Sequence, residues 1–293
     1  MRKVARRDRE ILEIGETQTV RLSFARLTWG AIVLSGLSIP ATAAALPDCA
    51  GTIEVADAPI VRAERNGVLV VSDGRAVKVE GLLLPQGSRD HAPGFLADQA
   101  ISTLNDFARG HRATLAVHVP KEDRYDRVRA QVFFEDLDEP WLQVAILRRG
   151  LARVNIAADR PECASELYAA EREARDKHFG LWAAPAYAVR TPQTVARDIG
   201  TFQLVEGKIV TVVTRDGRAY LNFGSDWKND FTVTIAPENM ANFRNAYVTP
   251  ADYQGKFVRV RGFVKQQNGP EIDIATPNAI ELVEGPSMRP AMP

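Results

Sequence analysis

The densest run of chemically useful side chains is 123-DRYDR-127, which leads directly into the apolar stretch VRAQVFF. It brings Arg124, Arg127 and Arg129 close to Tyr125, Asp123 and Asp126. A guanidinium fork matches phosphate oxygens bidentately, so the stretch reads as a grip for a phosphate backbone; the alternative is the solvated start of a β-strand. The two aspartates offset two of its charges. Asp90 and His91 are adjacent in GSRDHAPG and could act as a loop base or as metal ligands. His91, His111, His118 and His178 show no H-x-H or H-x₃-H spacing that would gather two of them on one metal. GTFQLVEGK (200–208) ends in Gly-Lys, but its glycines are too far apart for a phosphate loop.

These stretches belong to a chain of 293 residues that is 45% hydrophobic and 25% charged, enough for about two globular domains. Residues 27–45, LTWGAIVLSGLSIPATAAA, hold an apolar run after Arg21 and Arg26 and end in small residues with A-x-A spacing. Residues 1–45 therefore read as a secretory signal, short for a bilayer span, with an uncleaved amphipathic anchor as the alternative. The chain is expected in the periplasm or outside the cell, with no transmembrane span after cleavage. Without residues 1–45 it carries 30 Lys/Arg and 33 Asp/Glu, a formal charge of −3, so no overall basic excess argues for nucleic acid. Two cysteines remain, Cys49 and Cys163; an even count in an exported chain points to one disulfide, the alternative being two buried thiols.

The elements that must position these residues follow from periodicity. Residues 52–83 alternate apolar and polar around Asn66-Gly67 and Asp73-Gly74, as three antiparallel strands would. Pro93 opens a helix closed by Gly110, the strands ATLAVHV and VRAQVFF follow, and helices start at Pro140 and Pro161. Five strands with three helices suggest a small OB barrel. Residues 183–199 lack a period and read as a linker. Residues 200–284 repeat the strand, strand, strand, helix, strand, strand order, a second OB-like barrel, and 285–293 read as a disordered tail. The fold class expected is α+β, mainly β with helices.

Residues 52–182 resemble the staphylococcal-nuclease (thermonuclease) family through VKVEGLLLPQ (77–86), DRYDR (123–127), RGLARV (149–154) and FGLW (179–182), in family order and spacing. Residues 200–284 resemble the OB-like tail of some exported bacterial members through LVEGKI, YLNFG and VRVRGF. The resemblance implies calcium-dependent cleavage of DNA or RNA by two arginines and a glutamate base. Carried onto this chain, the first arginine is Lys78, the glutamate is Gln86, and the second arginine is Arg127; Arg124 and Arg129 are further phosphate contacts. Leu83 and Asn66 stand where the family places calcium carboxylates.

An amide cannot take a proton from water, and a leucine gives calcium nothing. The expectation is a degenerate site with no cofactor, calcium entering only if the chain is active. The favoured role is a binding module for DNA or RNA, or for a glycan or protein partner, with little or no nuclease activity. The alternatives are a phosphodiesterase with a rearranged site and an envelope protein with an apolar patch on 200–284.

Overall fold

A computed structural model of the chain describes residues 46–285 apart from Gly110 and Trp227, all within one compact unit. The signal-peptide reading of 1–45 and, beyond Gly285, the tail reading of 285–293 lie outside the described residues.

Alternation builds the first barrel. The strands β1 (Thr52–Ala63), β2 (Val68–Val71) and β3 (Ala76–Val79) form a meander, and β4 (Leu82–Leu83) is a short continuation. After α1 (Gly94–Ala108) come β5 (Arg112–Glu122), β6 (Val128–Phe134), α2 (Leu142–Arg148), β7 (Arg153–Val154) and α3 (Ala164–Asp176). The barrel closes in the order β1-β2-β3-β6-β5, with β3 and β6 parallel. Closure falls to β1, which pairs with β2 at one end and β5 at the other. Register shifts along it, with Asp57 at φ 61°, supply the extra curl. Its interior is filled by Leu69, Val77, Leu115 and Val132, each almost fully buried.

The second sheet is wound the same way. Its strands are β8 (Phe202–Lys208), β9 (Thr211–Arg215), β10 (Arg218–Asn222), β11 (Thr232–Ile235), then α4 (Met240–Asn245), β12 (Phe257–Gln267), β13 (Gly269–Asp273) and β14 (Ile280–Leu282). The path β14-β12-β13-β11-β10-β9 has β8 on the other side of β12, and β11 and β13 are parallel. Only Ile209 and Val210 separate β8, which pairs with β12, from β9, which ends the path beside β10. The β9–β10 turn has both central residues at positive φ, Asp216 at 51° and Gly217 at 76°, which the right-handed twist of a two-residue hairpin favours. β14 had no expectation in the sequence reading.

Residues 183–199 are not a loose connection. Tyr187, Arg190, Val195 and Asp198 are buried, Arg190 donates two hydrogen bonds to the Asp198 carboxylate (2.7 and 3.0 Å), and its backbone joins β8. Leu96, Ala174, Trp182, Tyr187, Phe202 and Leu204 share one apolar cluster that spans helices of the first barrel, the strap and β8. The segment shows no period because its burial depends on partners far along the chain, such as Leu96 and Phe202.

Charge crosses the same seam. Glu171 on α3 has no exposed surface, and its carboxylate accepts from Arg261 on β12 (2.9 and 3.1 Å), from Arg175 (3.2 Å) and from the Val154 amide (2.7 Å). Arg261 also donates to Glu281 (2.6 Å) and lies 4.2 Å over the Tyr168 ring. Burial alone would lower the Arg261 pKa, but Glu171, Tyr168 and Glu281 outweigh it and raise it. Arg153 on β7 donates to Asp90 (3.0 Å) and to the Phe202 carbonyl on β8. RGLARV and FGLW touch directly: Leu181 N donates to Gly150 O (2.8 Å). A Cβ on Gly150 would lie 2.1 Å from Phe179 O, so both motifs need glycine here.

Cys49 and Cys163 form a disulfide with Cα atoms 5.0 Å apart, joining the turn before β1 to the start of α3. It spans 114 residues, for which chain entropy gives about 4–5 kcal/mol as an upper figure. Cys49→Ser with Cys163→Ser should lower the urea midpoint of unfolding accordingly. Arg261→Leu alone leaves Glu171 buried without its principal partner and should cost about 3–5 kcal/mol, whereas Arg261→Leu with Glu171→Leu should recover most of that loss. Equal losses in the single and double variants would show that the pair does not govern the seam.

Candidate phosphate-binding site

A small cavity of about 90 Å³ opens where β2, β3 and β6 meet the first turn of the meander. It gathers Asn66, Lys78 and Arg127, residues far apart in sequence, over an aliphatic base of Leu82, Leu84 and Leu104. Lys78 and Arg127 are both half-buried at its mouth.

Asp123 organises the Arg127 side. Its Oδ1 accepts from the amides of Tyr125 (2.9 Å) and Arg127 (3.2 Å), tying the β5–β6 turn, while its Oδ2 accepts from Arg127 Nε (2.8 Å) and Nη2 (2.6 Å). Burial alone would raise the Asp123 pKa, but these bonds outweigh it and hold it at about 2, against an ordinary 3.8. Tyr125 is 61% exposed, with the Arg124 and Arg127 guanidinium carbons 4.8 and 5.0 Å from its ring centroid. An exposed ring flanked by two cations is suited to stacking under a nucleobase.

Lys78 contacts Glu80 at 2.9 Å, two residues on and on the same strand face. Arg129 lies opposite Lys78 in the β3–β6 register, on the same outer face, but is covered by its partners. It is 7% exposed and held by both Glu80 oxygens (3.1 Å each) and by Asp159 (2.5 and 3.0 Å), so it is no surface phosphate contact. Arg124 is exposed and lies outside the cavity lining.

Gln86 and Leu83 also lie outside that lining. Gln86 is exposed, and its backbone N–H donates to Asp90 Oδ2 (2.8 Å). Leu83 packs toward the Trp182–Phe202 cluster, because strand alternation turns Leu82 and Leu84 to the cavity and Leu83 away. Asp90 is buried and spent on Arg153 and the Tyr187 hydroxyl (2.9 Å), so the Asp90-His91 pair forms no catalytic dyad facing Arg127.

Calcium takes six to eight oxygens, carboxylates among them. The cavity lining offers one amide oxygen, and Asn66 Oδ1 already accepts from the Val68 amide (3.0 Å). This donor set does not suit calcium. Among the described residues no group of three or more His, Cys, Asp or Glu is placed to hold a metal ion.

A closed five-stranded barrel with interposed helices, carrying a cavity lined by Lys78 and Arg127, defines an OB-fold protein. Residues 97–184 match the family of staphylococcal nuclease homologues, and with the closed barrel this makes the chain staphylococcal-nuclease-like. No curated protein matches the chain.

The Asp123 contacts have a pH signature. Because the folded pKa is depressed, the stability they contribute is fully present above about pH 4 and is lost as pH falls through about 2. Asp123→Asn should flatten that acid limb of the urea midpoint against pH; an unchanged limb would mean that the carboxylate does not hold the turn.

Proposed function

We propose that the chain is an exported nucleic-acid-binding module of the staphylococcal-nuclease type that binds single strands through Lys78, Arg127 and Tyr125 and has little or no calcium-dependent nuclease activity. The observation that carries this reading is the cavity lining, which unites two cations and an amide but includes no carboxylate. A metal-assisted phosphodiester hydrolysis needs charge on the metal side and a base for water, and neither Asn66 nor Gln86 supplies them. The family match begins at residue 97, downstream of ERNG and VKVEGLLLPQ, the stretches in which the resemblance put the lost positions.

Binding remains well supported. Lys78 and Arg127 each hold a carboxylate, Glu80 and Asp123, so a phosphate would join existing ion pairs rather than meet bare cations. Affinity is then modest and strongly dependent on salt. Tyr125 adds stacking, which is indifferent to base identity. Residence outside the cytoplasm is supported by the Cys49–Cys163 disulfide; among the described residues no helix is long and apolar enough to cross a membrane.

Fluorescence anisotropy with labelled oligo(dT) of about 15 nucleotides tests the reading. Lys78→Ala and Arg127→Ala should each weaken binding and each reduce the slope of log K against log salt by about 0.7. Tyr125→Ala should lose about 1–3 kcal/mol with the slope unchanged. Plasmid incubated with the protein should stay intact in calcium as in chelator; efficient, chelator-sensitive digestion would instead establish a phosphodiesterase with a rearranged site.

A further inference from the structure

The outer face of the second sheet carries a groove of about 580 Å³, much larger than the cavity of the first barrel. One row of outward-facing residues crosses five strands in register: Thr211 on β9, Asn222 on β10, Thr232 on β11, Glu271 on β13 and Lys265 on β12. The outward row of a sheet is ordinarily solvated. Here its centre lies at the bottom of the groove, with Asn222, Thr232 and Glu271 only 9, 8 and 5% exposed. These side chains are held by one another: Thr232 Oγ1 donates to Asn222 Oδ1 (3.2 Å), Asn222 Nδ2 donates to Thr211 Oγ1 (3.3 Å), and Lys265 Nζ meets Glu271 Oε1 at 3.0 Å. The floor is thus a fixed set of amide, hydroxyl and carboxylate groups. Above it, Tyr220 and the half-exposed Val213, paired across β9 and β10, form an apolar wall. Gln267, at the tip of the β12–β13 turn, closes the rim.

We infer that this groove is a binding site for an uncharged oligosaccharide. Its charged lining residues are Arg215 and Glu271, and Glu271 is paired with Lys265 at the end of the row, so the groove holds no run of cations along which a polyanion would release counterions. Sugar hydroxyls both donate and accept, as the Asn222, Thr232 and Glu271 row requires, and the C–H face of a pyranose fits against the Tyr220 ring. The strands and turn that line the groove are those by which OB barrels bind oligosaccharides and oligonucleotides, and the charge balance selects the former. An extended peptide is disfavoured because β10, β11 and β13 are paired on both sides, leaving no free backbone ladder under the groove. The site is separate from the cationic cavity and does not depend on the reading of that cavity.

Saturation-transfer NMR on the intact protein with cellotetraose, maltotetraose and chitotetraose, each at about 1 mM, decides the matter. At least one should receive saturation. Its affinity should fall about tenfold in Tyr220→Ala, be kept in Tyr220→Phe, which retains the ring and reports on folding, and be unaffected by Lys78→Ala with Arg127→Ala. The inference is overturned if none of the three sugars receives saturation, if Tyr220→Ala binds like the wild type, or if oligo(dT) or an extended peptide displaces the bound sugar.

Discussion

A carboxylate with no access to water, Glu171, is the constraint around which the molecule is arranged. A buried charge is tolerated only when its oxygens are fully bonded, and Glu171 draws its partners from three places: Arg175 one turn on, the Val154 amide of β7, and Arg261 of the second sheet. The third is decisive, since it makes the folded state of α3 depend on a strand 90 residues later. The Arg153 contacts to Asp90 and Phe202 add a second tie of the same kind. The first barrel and the second sheet therefore meet across a buried seam rather than along a flexible connection.

That seam reaches the candidate site indirectly. Asp90, held by Arg153 and Tyr187, accepts from the Gln86 backbone N–H and so anchors the segment that follows β4. Glu80 is similar: it neutralises Arg129 and Lys78 together, leaving Arg127 and Lys78 as the cations that face the cavity. Within the first barrel these acidic groups brace arginines: Glu80 and Asp159 hold Arg129, Asp123 holds Arg127, and Asp90 holds Arg153.

The two barrels present opposite solutions on one topology. The first has a narrow mouth with two cations and an exposed tyrosine; the second has a broad groove with balanced charge and a floor of bonded polar side chains. Parallel pairing of the third and fifth strands of each barrel, β3 with β6 and β11 with β13, sets the same frame. What differs is which outward-facing positions the loops leave open.

Much of the frame was legible in the sequence because its signals are local. Alternation marked β1 to β3 around Asn66-Gly67 and Asp73-Gly74, and prolines announced the starts of α1 to α3. The likeness of VKVEGLLLPQ and DRYDR to known motifs pointed to Lys78 and Arg127, which the fold does bring to one cavity with Asn66. Spacing could not tell Arg127 from Arg129. They sit two apart at the start of β6, yet Asp123 holds the first at the surface, whereas Glu80 and Asp159, 49 and 30 residues away, cover the second. Nor could it show that 183–199 is buried, that Tyr125 is presented between two guanidiniums, or that Asn222 and Thr232 floor a groove. A side chain's face follows from its neighbours in sequence, but its burial and charge partners follow from long-range pairing, and only the closed barrels decide that pairing.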